Sequence, residues 1–150
     1  MLPSLPRSAA LFVLTVLLPA SLAIAAALPQ EERHELMEGV GEGAKVIGSM
    51  LEGERPFDAA AAMEALQTWD HASGVFGDLF PAGSDSADDR ALPSVWEERA
   101  GFDVALQNWA EAVDGAIAAD PQTLEDLQAA AGPVFKKCKA CHEDYRAAEE

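Results

Sequence analysis

Four stretches of apolar residues spaced three and four apart set the limits on what this chain can form, because that spacing puts one greasy stripe on each of four helices. The first stripe is Leu36, Val40, Ala44, Ile47 and Leu51, and it predicts a helix from about Gln30 to Glu52. Gly39, Gly41, Gly43 and Gly48 weaken that helix in isolation, each by up to about 1 kcal/mol relative to Ala, and suit it to close packing. The second helix opens at the cap Asp58, carries Ala59, Ala62, Leu66, Trp69, Ser73, Phe76 and Phe80, and stops at Pro81. Residues 81–93 read as a polar loop. Ser94 with Glu97 has the pattern of a capping box for a third helix lined by Phe102, Leu106, Trp109, Val113 and Ile117. The fourth is expected to open near Asp120-Pro121 and carries Leu124, Leu127, Val134, Phe135, Cys138, Cys141 and Tyr145, with a kink at Gly132-Pro133. Met50 and Met63 read as core. No strand alternation and no internal repeat is visible. The expectation is an all-α chain folded as an antiparallel four-helix bundle, each long helix roughly 30–40 Å in length.

The last helix carries Cys138-Lys139-Ala140-Cys141-His142, and the chain has only these two cysteines. C-x-x-C-H is the attachment signature of a c-type haem. On a helix the two thiols and the imidazole share one face, so the thiols can add across two vinyl groups while the histidine offers a ring nitrogen to iron. A structural zinc site would need about four ligands, and there is no second cysteine pair. A redox dithiol would sit near a βαβ pattern, which is absent. The sequence therefore predicts one covalent haem c, attached at Cys138 and Cys141, with His142 as axial iron ligand.

The N-terminus has the layout of a secretory signal peptide: Arg7, an apolar run from Ala9 to Leu18, and small-x-small sites ending at Ala25 and Ala27. Pro19 and Ser21 break the run short of a membrane span of about 20 residues. Residues 1–27 are expected to be removed, leaving residues 28–150 as one domain in the periplasm with no stable membrane insertion. The formal charge of −16 becomes −17 once Arg7 is lost. So acidic a surface argues against nucleic acid as a partner and favours docking on basic or neutral proteins.

Several runs resemble the class II c-type cytochromes, the cytochrome c′ and cytochrome c-556 group. They are Arg33-His34-Glu35-Leu36-Met37, Gly53-Glu54-Arg55-Pro56-Phe57-Asp58, Leu79-Phe80-Pro81, Val95-Trp96-Glu97-Glu98-Arg99-Ala100-Gly101-Phe102-Asp103, and the terminal Cys138 to Arg146. The resemblance implies a four-helix bundle with its haem motif near the C-terminus, and it is closer to the low-spin c-556 members. In those, a methionine of the first helix binds iron, and the matching position is Met37. A thioether there would raise the reduction potential. The resemblance further implies that Arg33 pairs with a haem propionate and that Arg146 lies near the proximal histidine. His34 and His71 are expected at the surface, and Lys136, Lys137 and Lys139 form the main basic cluster.

The function expected from these residues is single-electron transfer between periplasmic redox proteins through a His/Met-ligated haem. The alternative is a five-coordinate haem that takes NO or CO. No constellation of carboxylates or Ser/His suggests an enzyme, and a homodimer is compatible with all of this.

Overall fold

The computed structural model describes residues 28–85 and 90–148, and the expected signal peptide lies outside them. Four long helices appear among these residues: α1 (Pro29–Leu51), α2 (Ala59–Val75), α4 (Arg99–Ala118) and α5 (Leu124–Tyr145), with a one-turn α3 (Ser94–Glu97) between α2 and α4. Each long helix packs along the next, and α5 closes the ring against α1. The all-α bundle is therefore as the periodicity predicts.

The helix ends follow local chemistry. Pro29 occupies the first turn of α1, where its missing N–H costs nothing, and Glu31 and Glu32 face the positive end of the helix dipole. Asp58 caps α2 by accepting from the Ala60 and Ala61 N–H groups at 3.0 and 3.1 Å. Thr123 caps α5 through the Asp126 N–H at 3.1 Å. This is later than the expected start at Asp120-Pro121, because Asp120 takes a left-handed φ of 44° and Pro121 is buried in the connection. Pro133 lies inside α5, which continues through it.

Two further differences from the sequence expectation bear on the site. The second helix does not run to Phe80; it ends at Val75 and tightens into a 3-10 turn, Phe76–Leu79. The third is broken at Glu98 (φ −114°, ψ 41°), which sets α3 apart from α4. Ser94 does not cap it. Its hydroxyl donates instead to the Asp144 carbonyl at 3.0 Å, tying α3 to the far end of α5.

The core runs the length of the bundle, with Ile47, Leu66, Trp69, Phe102, Val113 and Leu127 nearly or wholly buried. Met50 is fully buried, whereas Met63 is only half-buried and Leu124 is exposed. Trp69 ties three helices together at one level. Its indole N–H donates to the Val40 carbonyl of α1 at 3.0 Å, and its ring meets Phe135 of α5 edge-on at 5.4 Å. Gly43 makes this possible, since a Cβ there would stand 2.9 Å from the Trp69 Nε1.

Candidate functional site

Cys138, Cys141 and His142 share the inner side of the last two turns of α5, each half-buried, and both cysteines pack against the core. Apolar surroundings push both thiols up, Cys141 to about 11, with the neighbouring Cys138 and Asp144 adding to the effect at Cys141. Such a pocket favours neutral sulfur, which is the form a thioether has permanently. Burial, followed by the charges of Arg146 and Arg90, lowers the proton affinity of His142. The imidazole is thereby held neutral, with a lone pair free for a metal.

Met37 is half-buried on α1 and packs against the same core. A Cβ on Gly39 would reach Thr68, and one on Gly43 would meet Trp69 and Ala65, so those positions face α2. Met37 and Ala44 lie round the helix from them, on a different flank that also packs against the core. The Trp69 tie gives the level. From Val40, Met37 lies about 4.5 Å toward the start of α1, and from Phe135, His142 lies about 10.5 Å toward the end of α5, at a rise of 1.5 Å per residue. Both displacements run toward the same end of the bundle, where Phe80, Phe102 and Tyr145 meet edge-on. Side chains lean toward the start of their own helix, so these two lean toward each other along the axis.

Arg33 is not a surface residue: it is only 4% exposed. Its Nη1 donates to the Leu79 carbonyl at 2.7 Å and to the Ser84 hydroxyl at 3.1 Å, and its Nη2 donates to the Ser84 carbonyl at 3.0 Å. The guanidinium lies over the Phe80 ring at 4.6 Å and the Trp96 ring at 5.7 Å. Its two Nη groups are thus engaged by the segment after α2. Arg99, at the start of α4, holds the same segment. It donates to the Phe80 and Gly77 carbonyls at 3.0 and 3.1 Å and pairs with Asp103 at 2.7 Å. The Trp96 indole takes the Pro81 carbonyl at 3.1 Å. Two arginines and a tryptophan therefore satisfy the carbonyls beyond Val75, which is why the chain can leave the α-helix there at little cost.

Arg146 follows directly on α5, and its N–H donates to the His142 carbonyl at 3.2 Å. His34 and His71 are exposed, as expected, and His34 pairs with Glu38 at 3.4 Å. The lysine run does not form one patch. Successive helix positions turn by about 100°, so Lys136 points outward, Lys137 lines a groove beside Cys141, and Lys139 pairs with Glu143 at 3.6 Å. That groove, about 210 Å³ between α4 and α5, is floored by Gly101, Val104, Ala105 and Asn108.

The donor set fits haem c: two neutral thiols one turn apart and an imidazole beside the second. Trp109 adds an independent sign. Its indole N–H is buried without a hydrogen-bond partner among the described residues, although a buried indole N–H ordinarily finds one. Asn108 and Lys137 line the same groove, which puts Trp109 at the level of Cys138. An acceptor that is not part of the polypeptide would satisfy it.

A four-helix bundle presenting two thiols and an imidazole on one helix face defines the class of bundle cytochromes with covalent haem. The family model for cytochrome c′ matches residues 29–146, and the chain belongs to that family. It is 35% identical over 121 residues to a cytochrome c-556 of Rhodopseudomonas palustris, covering 77% of this chain and 80% of that one. It is equally 35% identical, over 136 residues, to a cytochrome c′ of the same organism, covering 88% and 90%. The solved structure of cytochrome c′ from Rhodopseudomonas palustris superposes with a TM-score of 0.78 at 33% identity, over 83% of this chain and all of that one. The protein is a haem protein of the cytochrome c′ and c-556 family, with covalent haem c as its cofactor.

Proposed function

We propose that this chain transfers single electrons, with the haem held by thioether bonds at Cys138 and Cys141 and its iron ligated by His142 and Met37. Bound there, haem supplies a one-electron ferric/ferrous couple. The chain's own residues do the rest. Cys138 and Cys141 would hold the haem by adding their S–H groups across its two vinyl double bonds, an addition that consumes no oxidant. His142 would offer iron a ring nitrogen, and Met37 would offer it a soft sulfur, which favours the ferrous state. Arg33 and Arg99 hold the 77–84 segment against this end of the bundle, and Arg146 sets a positive charge beside His142.

What supports the reading is Met37 itself, half-buried against the core on α1, three residues before the Val40 carbonyl that Trp69 holds and so, by helix rise, toward the end of the bundle where α5 finishes. The oxidised protein should be low-spin and show a sulfur-to-iron charge-transfer band in the far red. Met37→Ala should turn it high-spin and raise its affinity for CO. A wild type that is already high-spin and CO-reactive at neutral pH would instead establish an open sixth position and a gas-binding role. Export to the periplasm follows from residues 1–27, and N-terminal sequencing of the mature protein should begin at Ala26 or Leu28.

A further inference from the structure

The chain has three tryptophans, and two of their indole N–H groups have backbone acceptors. Trp69 donates to the Val40 carbonyl at 3.0 Å and Trp96 to the Pro81 carbonyl at 3.1 Å. The third, Trp109, is only 5% exposed, and its Nε1 has no partner among the described residues. Its place follows from how α4 pairs with α5. The two helices run antiparallel, and Phe102 meets Tyr145 edge-on at 5.2 Å. Trp109 stands seven residues after Phe102, and Cys138 seven residues before Tyr145. Each step is about two turns, so both stay on the face that makes the Phe102–Tyr145 contact, and Trp109 comes opposite Cys138. The groove agrees, since Asn108 and Lys137 line it together. Trp109 points inward with Leu106 and Val113 and meets Phe76 edge-on at 6.4 Å, and Cys138 packs against the same core. Helical side chains lean toward the start of their own helix, so the indole leans from the level of Cys138 toward that of Cys141 and His142.

We propose that Trp109 is a haem-binding residue, its indole N–H donating to a haem propionate. A donor shut away from water is costly to leave unpaired, and a carboxylate drawn in among apolar side chains is just as much in need of a donor. Each answers the other, in a charge-assisted bond stronger than one between neutral groups. The propionates are the haem's only oxygen acceptors, and the ring face accepts an N–H only weakly. Thioether bonds at Cys138 and Cys141 tether the haem to α5 alone; a donor on α4 fixes how the ring is turned between the helices. The inference rests on the reading of Cys138 and Cys141 as the points of attachment.

The test is NMR on the reduced, haem-loaded protein, with 15N in its tryptophans and 13C in the propionate carboxyls. If the sixth position proves open, the CO adduct is used, so that the iron is diamagnetic whichever ligand it holds. Trp109→Phe keeps an aromatic ring, removes the N–H and assigns the signal. The Trp109 indole proton should give cross-peaks to propionate methylene protons. In mixed H2O and D2O one propionate carboxyl should show a deuterium isotope shift, and Trp109→Phe should abolish it. Cross-peaks to porphyrin ring protons alone, or to water alone, overturn the inference, as does an isotope shift that survives in Trp109→Phe. Trp69→Phe and Trp96→Phe assign the other two indoles, so the wild type decides the question even where Trp109→Phe fails to fold. Mass spectrometry of the wild type keeps the two readings apart. Haem absent from the Cys138–Cys141 peptide refutes both, whereas attached haem beside a Trp109 N–H without propionate contact refutes only the role of Trp109.

Discussion

Gly43→Ala and Gly48→Ala are the same substitution on the same helix, and they should move stability in opposite directions. Within a helix, Ala is preferred to Gly by about 1 kcal/mol. At Gly48 a Cβ would meet nothing within 4 Å, so that preference should appear undiminished. At Gly43 the new methyl would lie 2.9 Å from the Trp69 Nε1 and 3.4 Å from the Ala65 Cβ. Trp69 has no room to give way: it is fully buried, bonded to the Val40 carbonyl and packed edge-on against Phe135. Overpacking of this kind costs about 1–3 kcal/mol, and losing the indole bond adds about 1 kcal/mol. After the helix gain is subtracted, Gly43→Ala should destabilise by about 1–3 kcal/mol. Guanidinium denaturation of the haem-loaded protein, followed by far-UV circular dichroism, measures both. The haem absorption should also shift in Gly43→Ala, because Phe135 stands one turn before Cys138. If both variants were stabilised alike, the Trp69 tie between α1, α2 and α5 would not be rigid, and the level assigned to Met37 and His142 would lose its footing.

Arg33→Met should cost about 2–4 kcal/mol, because it strips the Leu79 and Ser84 carbonyls of their donor and removes the cation from the Phe80 and Trp96 rings; a denaturation midpoint within error of wild type would show the segment to be held by Arg99 and Trp96 alone. Cys138→Ala combined with Cys141→Ala should leave little stable holoprotein, and a folded double mutant of wild-type stability would show that haem is not part of the core. Electron transfer to a basic redox protein should slow as salt rises, given a formal charge of −16 before processing. A faster reaction with an acidic partner at low salt would show that the lysines near Cys138 govern docking.

The sequence was informative wherever one helix suffices to explain a pattern. Apolar spacing located all four long helices, and C-x-x-C-H placed three groups on one face without any neighbour being known. The lysines at 136, 137 and 139 were adjacent in sequence but not in space, because the helix turns each to a different side. Arg99 and Asp103 had a visible i, i+4 spacing, but the carbonyls that Arg99 reaches are about twenty residues away. Arg33 stands among glutamates in the sequence, and its burial depends on Ser84 and two aromatic rings from other elements. Arg90 sat in a stretch with no periodicity, and nothing local indicated that it would return to the end of α5.

What the sequence alone determined was therefore the bundle, its four stripes and the haem-binding face, because the spacing of residues along a helix is an intrahelical property. The tertiary structure decided the rest. It ended α2 at Val75 by supplying side-chain donors to the carbonyls beyond, and tied α3, set apart by the break at Glu98, to α5 through Ser94 and Asp144. It also paired residues 90–92 with residues 145–147 just past the end of α5. These are contacts between segments far apart in the chain, and only the packing of one helix on another determines which of them form.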